Sequence, residues 1–404
     1  MLLDRYRDLF RVPAMRTTML ASIPGRLPIG IAGFAILLLV QNKSGSFVTA
    51  GIASALYVLG LASIAPMVGR IIDRAGPLPV LRVCAFVYPL MLAALVMLVT
   101  LQVHAFAIAL CAYVAGAALP PVTICMRTLY PRALTDPALL QTAYSVDSVI
   151  VESVFIIGPA LVALFLACGV PEGAVLLAAL TAGGGTLWFA RTPAIRDWEI
   201  LPRNSTGSRW GVFAEPELLV LFAATVCYSV AFGLYEIGVT AYATNRGMPA
   251  VAGIALALAS VGSAMGALAY GAWHWQVALR KQFLVALGLM AAGSLLVAPI
   301  DNIYLFMLAN IIAGAPMASV IATQSLLLSR LALQGKLAES FTWGGTCLLG
   351  GISGGIALGG VLAESVAPAW ILVSAAGATM VAALIAMVIP HSEKLDATDA
   401  HYIG

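Results

Sequence analysis

Residues 69–76 read Gly-Arg-Ile-Ile-Asp-Arg-Ala-Gly and separate two long apolar stretches, 48–69 and 78–100. A membrane-spanning α-helix needs about 20 largely apolar residues, and each flanking stretch is long enough. The two glycines favour a tight turn between helices, and Asp73 places an anion at a membrane face. The segment therefore predicts a short polar loop between two antiparallel membrane-spanning helices.

The composition extends this prediction to the whole chain. Of the 404 residues, 61% are apolar and only 10% are Asp, Glu, Lys or Arg, whereas a soluble domain carries roughly 25% charged residues. Apolar stretches run from residue 17 to residue 390. This leaves too little polar surface for a soluble enzyme, a disordered protein or a nucleic-acid-binding module. We therefore predict an all-α, multi-pass protein of the lipid bilayer.

Twelve stretches reach the length of a membrane span when the chain is cut at charges, Asn and Pro/Gly clusters. They are residues 17–40, 48–69, 78–100, 104–127, 140–167, 172–191, 217–241, 249–274, 282–300, 302–329, 338–363 and 367–389. Most connections are short, so successive spans are predicted to be antiparallel.

The positive charges predict which side of the membrane each connection faces. If the amino terminus lies in the cytoplasm, 18 of the 21 Lys and Arg residues fall on cytoplasmic segments. Only Lys43 and Arg246 fall on the other side, and Arg26 lies inside the first span. Cytoplasmic connections are enriched in Lys and Arg, so both termini are predicted to be cytoplasmic. This charge distribution suits a bacterial inner membrane.

The longest polar interruption, residues 192–216, falls between spans six and seven. This linker divides the chain into one six-helix bundle at 1–191 and a second at 217–390, followed by a cytoplasmic tail at 391–404. A gapless shift of 202 residues aligns several glycines of the two bundles. Two such parallel repeats, related by pseudo-symmetry, are typical of alternating-access transporters.

The loop after span two also resembles a known family motif. With Gly69, Asp73, Arg74 and Gly76 it resembles the G-x-x-x-D-R-x-G loop that the major facilitator superfamily carries at this position. The corresponding segment of the second half, 271–275, lacks both the Asp and the Arg. The resemblance implies twelve spans in two six-helix bundles. It also implies a secondary transporter that works by alternating access, not an enzyme.

The same resemblance implies a gate. Asp73 is expected to contact the start of span eleven and an arginine at the end of span four, for which Arg127 is the candidate. An anion near a helix amino terminus is favourable by about 0.3–1 kcal/mol. Such a contact would hold the cytoplasmic gate closed in one state and break in the other. The alternative is a solvated turn that only satisfies the topology.

Ionisable side chains within the spans are candidates for function, because one at mid-bilayer costs about 2.5–3.5 kcal/mol on insertion scales. Arg26 and Glu152 are expected at similar depths in spans one and five. One hypothesis is that they form an intramembrane pair, and that protonation of Glu152 or binding of an anion to Arg26 shifts the transporter between states. The alternative is a static salt bridge that joins the two spans.

Two further acidic residues are candidates for proton coupling. Glu236 lies deep in span seven, with no cation expected at its depth. Asp147 lies one to two turns nearer the cytoplasm than Glu152. It is expected to pair with Arg127 or Arg132 at that face.

Proline and glycine residues suggest where the helices bend and pack. Pro24 and Pro28 flank Arg26 and are expected to break the helix hydrogen bonds locally. Irregular backbone within a membrane is tolerated only where it lines a cavity or is covered by protein. Residues 158–159, Gly-Pro, resemble in part the glycine-proline motif of the family's proton-linked exporters. The glycines of span eleven, within 344–360, are expected to pack closely against span two.

Polar and aromatic residues on the expected cavity helices are candidates for substrate binding. They are Arg26, Tyr57, Tyr144, Tyr228, Tyr235, Asn310, Gln324 and Trp343. A lining with many aromatic rings and few charges suits an amphiphilic or moderately hydrophobic solute.

Two functions remain open at this point. The first is a proton-coupled exporter of a small organic or amphiphilic solute, and the second is an importer, exchanger or facilitator of a small anionic metabolite that binds Arg26. A membrane enzyme or receptor would need a polar catalytic cluster or a large extramembrane domain, and the four histidines are scattered. We expect a small-molecule substrate and protons as partners, a monomer, and no cofactor, metal ion or catalytic residue.

Overall fold

The computed structural model describes residues 4–200, 211–248, 250–273, 275–333 and 335–389. In this part of the chain the secondary structure is helical, and twelve spans are long and apolar enough to cross a membrane. The prediction of an all-α protein with twelve spans is therefore confirmed. The predicted tail at 391–404 lies outside the described residues, as do residues 201–210 of the predicted linker.

The first half contains a short amino-terminal helix, six spans and a short helix after span six. The helices are α1 (Asp4–Arg11), α2 (Pro13–Ser44), α3 (Phe47–Ala75), α4 (Pro77–Thr100), α5 (Ala105–Ala117), α6 (Val122–Ala133), α7 (Pro137–Ala167), α8 (Pro171–Ala190) and α9 (Pro193–Arg196). Span four consists of α5 and α6, which the Pro120-Pro121 pair separates.

The second half begins with a 3₁₀ turn at Gly211–Ala214 and continues with seven helices. These are α10 (Pro216–Asn245), α11 (Ala250–Ala272), α12 (Leu279–Val297), α13 (Ile303–Gly314), α14 (Met317–Leu331), α15 (Leu337–Ser365) and α16 (Pro368–Ala386). Span ten consists of α13 and α14 and is interrupted at Ala315-Pro316.

Local sequence explains where the spans begin and end. Six spans carry a proline in their first turn, as α4 does with Pro77. Proline lacks an N–H, and the first amides of a helix have no partner within the helix, so the residue is tolerated there. Gly45 and Gly76 end α2 and α3 with φ angles of +68° and +77°, a conformation that glycine adopts without a Cβ clash.

Because successive spans are antiparallel, the bundle has two ends. We call the end that holds α1, Gly76 and residues 134–136 the basic end, and the end that holds Gly45 and Gly247 the opposite end. The positive charges predict that the basic end faces the cytoplasm, and this orientation stays a prediction.

The irregular backbone expected in span one is not present. Helix α2 runs without interruption from Pro13 to Ser44, with Pro24 and Pro28 inside it. Neighbouring helices enclose this stretch: a Cβ on Gly25 would lie 3.1 Å from the Val122 side chain and 3.4 Å from the Thr186 nitrogen. Proline is tolerated inside membrane helices that are packed in this way.

The expected partner of the span-eleven glycines is also wrong. Gly351 and Gly355 of α15 lie against α10, and a Cβ on Gly355 would approach the Val230 carbonyl oxygen to 2.2 Å. Gly359 lies against Ile237 of the same helix. These glycines therefore hold span eleven against span seven within the second half. Helix α15 also contacts α3 of the first half, but through residues near its start, where Gly69 lies against Ala338.

Candidate functional site

Four side chains, three of them buried and one half-buried, form a polar cluster inside the first half. The Arg26 Nη2 atom lies 2.7 Å from Asp147 Oδ1, and Arg127 Nε donates to Asp147 Oδ2 at 2.8 Å. The Tyr130 hydroxyl donates to Asp147 Oδ1 at 2.9 Å. Arg26 and Asp147 are 1% and 0% exposed. We call Arg26, Arg127, Tyr130 and Asp147 the arginine cluster.

Three helices bring these side chains together. Gly25 allows α2 to approach α8 closely, so the adjacent Arg26 lies in the interior. Arg127 and Tyr130 lie three residues apart on α6 and share a face of that helix. Asp147 lies in the stretch 140–148 of α7, which is buried throughout. The carboxylate is therefore surrounded by donors.

The arginine cluster carries an excess of positive charge, because two guanidinium groups surround one carboxylate. The Nε and Nη1 atoms of Arg26 are buried and have no hydrogen-bond partner among the described residues, although Tyr130 lies nearby. A buried donor without a partner costs about 1–3 kcal/mol. The cluster therefore has spare capacity to bind a water molecule or an anionic group.

The predicted pair between Arg26 and Glu152 is wrong, because Arg26 pairs with Asp147 instead. Asp147 and Glu152 are five residues apart on α7, which places them about 140° apart around the helix axis. Only Asp147 faces α2 and α6. Its predicted contact with Arg127 is present, whereas Arg132 lies elsewhere.

Glu152 lies on the face of α7 that is directed towards the second half. Its side chain is half-buried, and Ser260 of α11 is close enough to interact with it. The salt bridges found among the described residues include none with Glu152 or Glu236. Glu236 lies on α10 with an exposed side chain.

The aromatic candidates do not gather at one point. Tyr144 lies next to the arginine cluster, donates to the Arg127 carbonyl oxygen at 2.9 Å and places its ring 6.2 Å from that of Phe341 on α15. Tyr228 is buried in the second half, with its ring 6.3 Å from that of Phe283. Tyr144 is therefore the aromatic candidate that links the cluster to the other half.

The remaining candidates for substrate binding lie apart from the arginine cluster and contact other residues. Gln324 of α14 is buried, with its amide beside Gly344, and the Trp343 ring lies 4.6 Å from that of Phe213. The other three take part in two hydrogen bonds within single halves, Tyr57 with Tyr88 at 2.8 Å and Tyr235 with Asn310 at 2.6 Å.

The loop at 69–76 joins the two halves at the basic end. Asp73 Oδ1 accepts from the Ala338 nitrogen at 3.0 Å, and Oδ2 accepts from the Glu339 nitrogen at 2.9 Å. Arg70 Nε donates to Glu339 Oε1 at 2.7 Å. Gly69 permits this approach, since a Cβ there would lie 2.6 Å from Thr342 Oγ1. Arg74 is exposed and takes no described part in the contact.

The resemblance implied that Arg127 is the arginine near Asp73, and this expectation is wrong. Its guanidinium is directed to Asp147, and the cation that acts electrostatically on Asp73 is Arg132. Arg132 lies one to two turns further along α6, with its guanidinium 4.4 Å from the Trp198 ring. The end of span four thus has two arginines with separate partners.

Some residues of the site escaped sequence reasoning. Tyr130 could have been found from its spacing of three residues from Arg127. Glu339, Gln141 and Thr142 contact the other half, but their spacing along the chain does not reveal a partner more than 100 residues away.

Hydrogen bonds between the halves concentrate at the basic end. Besides the Asp73 contact, Gln141 of α7 donates to the Tyr270 carbonyl oxygen at 2.7 Å. At the opposite end, the ion pairs Lys43–Glu172 and Arg246–Asp301 each stay within one half. The described conformation is therefore closed at the basic end.

No groups of three or more His, Cys, Asp or Glu residues suited to a metal ion occur in the described part of the chain.

Comparison with known proteins finds relatives of this chain among membrane transporters. A model of the Major Facilitator Superfamily matches residues 18–276. The uncharacterized MFS-type transporter y4rN of Sinorhizobium fredii (strain NBRC 101917 / NGR234) is 25% identical over 303 residues, which cover 70% of this chain and 72% of that protein.

Solved structures resemble the whole bundle at low sequence identity. A bacterial homologue of the iron transporter ferroportin, in an outward-facing state, has a TM-score of 0.76 and 13% identity, covering 92% of this chain and 98% of that one. The fucose:proton symporter of Escherichia coli has a TM-score of 0.69 and 13% identity, covering 94% and 98%. At such identities these structures show the fold alone.

Proposed function

The chain belongs to the major facilitator superfamily, and from that premise we propose that it is a proton-coupled secondary transporter that exports a small organic or amphiphilic solute. Membership of the family supports secondary transport by alternating access. Proton coupling, the class of solute and the direction of transport are our proposals.

The observation that carries the proposal is the position of Glu152. This carboxylate lies midway along α7, half-buried, on the face directed to α11 of the other half. A charge at this depth is costly unless it is paired, and no cation pairs with it among the described residues. Protonation removes that charge from the interface between the halves, which gives the proton a way to favour one conformation.

Two features support the proposal of export. Residues 158–159 lie on the same span as Glu152 and resemble in part the motif of proton-linked exporters. Tyr144 lies beside the interface between the two halves and offers ring surface to an apolar or amphiphilic solute.

Proteoliposomes with an interior pH dye test the proposal. A panel of compounds is screened against the wild type, Glu152→Gln and Glu236→Gln, with Glu364→Gln as the matched control because Glu364 is exposed near the end of α15. Substrate-triggered proton movement that is lost only in Glu152→Gln would support the proposal. Loss only in Glu236→Gln would move the coupling role to α10. Transport without proton movement would refute coupling.

The excess positive charge of the arginine cluster favours a second candidate function. In that candidate the protein is an importer, exchanger or facilitator of a small anionic metabolite, and the unpartnered donors of Arg26 bind its anionic group. Transport of the anion should then fail in Arg26→Ala, recover in part in Arg26→Lys and proceed in Glu152→Gln. Retained anion transport in Arg26→Ala would exclude this candidate.

We also propose a monomer in a bacterial inner membrane, with the basic end in the cytoplasm. Cys168 is the exposed cysteine at the opposite end, and the other five are buried or half-buried. A membrane-impermeant maleimide added to intact cells should label the wild type and not Cys168→Ser. Labelling only after cell lysis would reverse the orientation.

A further inference from the structure

The second half has lost the acidic loop, yet its basic end is also joined to the first half. Helix α11 ends at Ala272, and the carbonyl groups of its last turn have no partners within the helix. Gln141 Nε2 donates to the Tyr270 carbonyl oxygen at 2.7 Å. Thr142 Oγ1 lies 2.9 Å from the Gly271 carbonyl oxygen and also 2.9 Å from that of Ala138, so its single proton serves one of them at a time.

The amino-terminal helix adds two donors to the same region. Tyr6 donates its hydroxyl proton to the Leu268 carbonyl oxygen at 2.5 Å, and Arg5 Nη1 donates to the Trp273 carbonyl oxygen at 2.9 Å. Leu9 is fully buried and anchors α1. Helix α1 also packs against α2 and α7. It therefore bridges the first half and the end of α11.

Close packing at Gly271 shows that this contact is tight. A Cβ at Gly271 would lie 2.6 Å from the Ser145 Cβ and 2.9 Å from the Tyr6 hydroxyl oxygen. Any larger residue at this position would push apart α11, α7 and α1. Burial raises the pKa of Tyr6 to about 12, so its hydroxyl remains a donor throughout the physiological range.

The two contacts between the halves use opposite polarity. At the first, the Asp73 carboxylate accepts from the free N–H groups at the start of α15. At the second, donors from α1 and α7 meet main-chain carbonyl groups at and just beyond the end of α11, an end that carries partial negative charge. The second contact needs no acidic residue, because the helix end itself supplies the acceptors.

We propose that Arg5, Tyr6, Gln141 and Thr142 form a carboxyl-end lock, in which the amino-terminal helix holds the basic end closed and must release α11 before that end opens. The lock joins the end of α11 in the second half to the first half, as Asp73 joins the first half to the start of α15. This proposal rests on transport by alternating access. It does not depend on the proton coupling or on the class of solute proposed above.

Distance measurements at both ends of the bundle test the lock. Spin labels are placed at Thr135 and Leu333 for the basic end and at Asn42 and Asn245 for the opposite end, all exposed positions, in a background without reactive native cysteines. Double electron–electron resonance then reports the populations of open and closed forms. The variants are Tyr6→Phe, Arg5→Ala and their combination. Arg7→Ala is the matched control, because Arg7 is exposed on the same helix.

Each lost hydrogen bond is expected to raise the population open at the basic end by roughly two- to tenfold, and the opposite end should close in step. Arg7→Ala should match the wild type. Unchanged distances at both ends would overturn the proposal. Broadening at the basic end without closure at the opposite end would also overturn it, since that result marks a local structural role. Transport assays on the same variants report separately on coupling and solute.

Discussion

The two halves share one architecture but differ in what they bury. The first half buries two charged side chains within its spans, Arg26 and Asp147, with Arg127 half-buried beside them. The buried charges described in the second half, Lys336 and Glu339, lie at the start of α15 near the basic end. The described mid-span polar residues buried in the second half are neutral, such as Asn310 and Thr225. The fold therefore requires the helix packing in both halves, but a charged interior in only one.

This difference indicates which half is more sensitive to substitution. A neutral hydrogen bond between membrane helices contributes about 0.6 kcal/mol on average, so losing one is tolerated. Removing one member of a buried ion pair costs about 3–5 kcal/mol, because the remaining charge is left without compensation. Substitutions of buried polar residues are therefore expected to destabilise the protein more in the first half than in the second.

The largest effect is expected from Asp147→Asn. This change leaves the buried Arg26 and the half-buried Arg127 without a counter-charge and should lower the free energy of unfolding by about 3–5 kcal/mol. Unfolding with SDS in mixed micelles measures it. Asp301→Asn in the second half is the control, since its side chain is 98% exposed and an exposed pair contributes about 0–1 kcal/mol. Equal losses in the two variants would remove the contrast between the halves.

Arg26→Gln should be milder than Asp147→Asn, because Arg127 and Tyr130 still donate to Asp147. The expected loss is about 1.5–3 kcal/mol, the range for a hydrogen bond to a charged group. The same SDS titration measures it, with Arg246→Gln as the exposed counterpart. A loss larger than that of Asp147→Asn would show that Arg26, not the carboxylate, organises the cluster.

Glycine substitutions should affect both halves equally. A Cβ on Gly158 would lie 2.5 Å from the Gly30 carbonyl carbon, and one on Gly355 would lie 2.2 Å from the Val230 carbonyl oxygen. Gly158→Ala and Gly355→Ala are each expected to cost about 1–3 kcal/mol through overpacking. Gly354→Ala is the control, since no atom lies within 4 Å of its Cβ position. A large loss of unfolding free energy in only one of the two variants would show that the halves also differ in how tightly their helices pack.

The smallest effects are expected from the neutral hydrogen bonds. Tyr57→Phe removes the contact with Tyr88 in the first half, and Tyr235→Phe removes the contact with Asn310 in the second. Each should cost about 0.6 kcal/mol in SDS titration, against no change in Tyr304→Phe, whose side chain is 72% exposed. A cost of several kcal/mol in either variant would reveal a neutral network as strong as the charged one.

Much of the fold and part of the candidate site could be predicted from the sequence. The spans were predictable because apolar length is a local property, and Asp73 was identified from the residues around it. The partner of Arg26 was not, since Asp147 and Glu152 lie one to two turns apart on one helix, and the rotation and depth of α7 decide which of them meets Arg26. The role of α1 was also missed, because its donors bind main-chain carbonyl groups, which carry no residue identity.

A membrane protein of twelve helices in two halves is predictable from the amino-acid sequence alone. In hydrocarbon each backbone amide must be satisfied within its own segment, so length and apolar composition suffice. Three contacts become visible only in the folded protein: Arg26 pairs with Asp147, Arg132 rather than Arg127 lies near Asp73, and Tyr6 reaches the end of α11. These contacts depend on how each helix is rotated about its axis and how deeply it is set against its neighbours, which many side chains determine together.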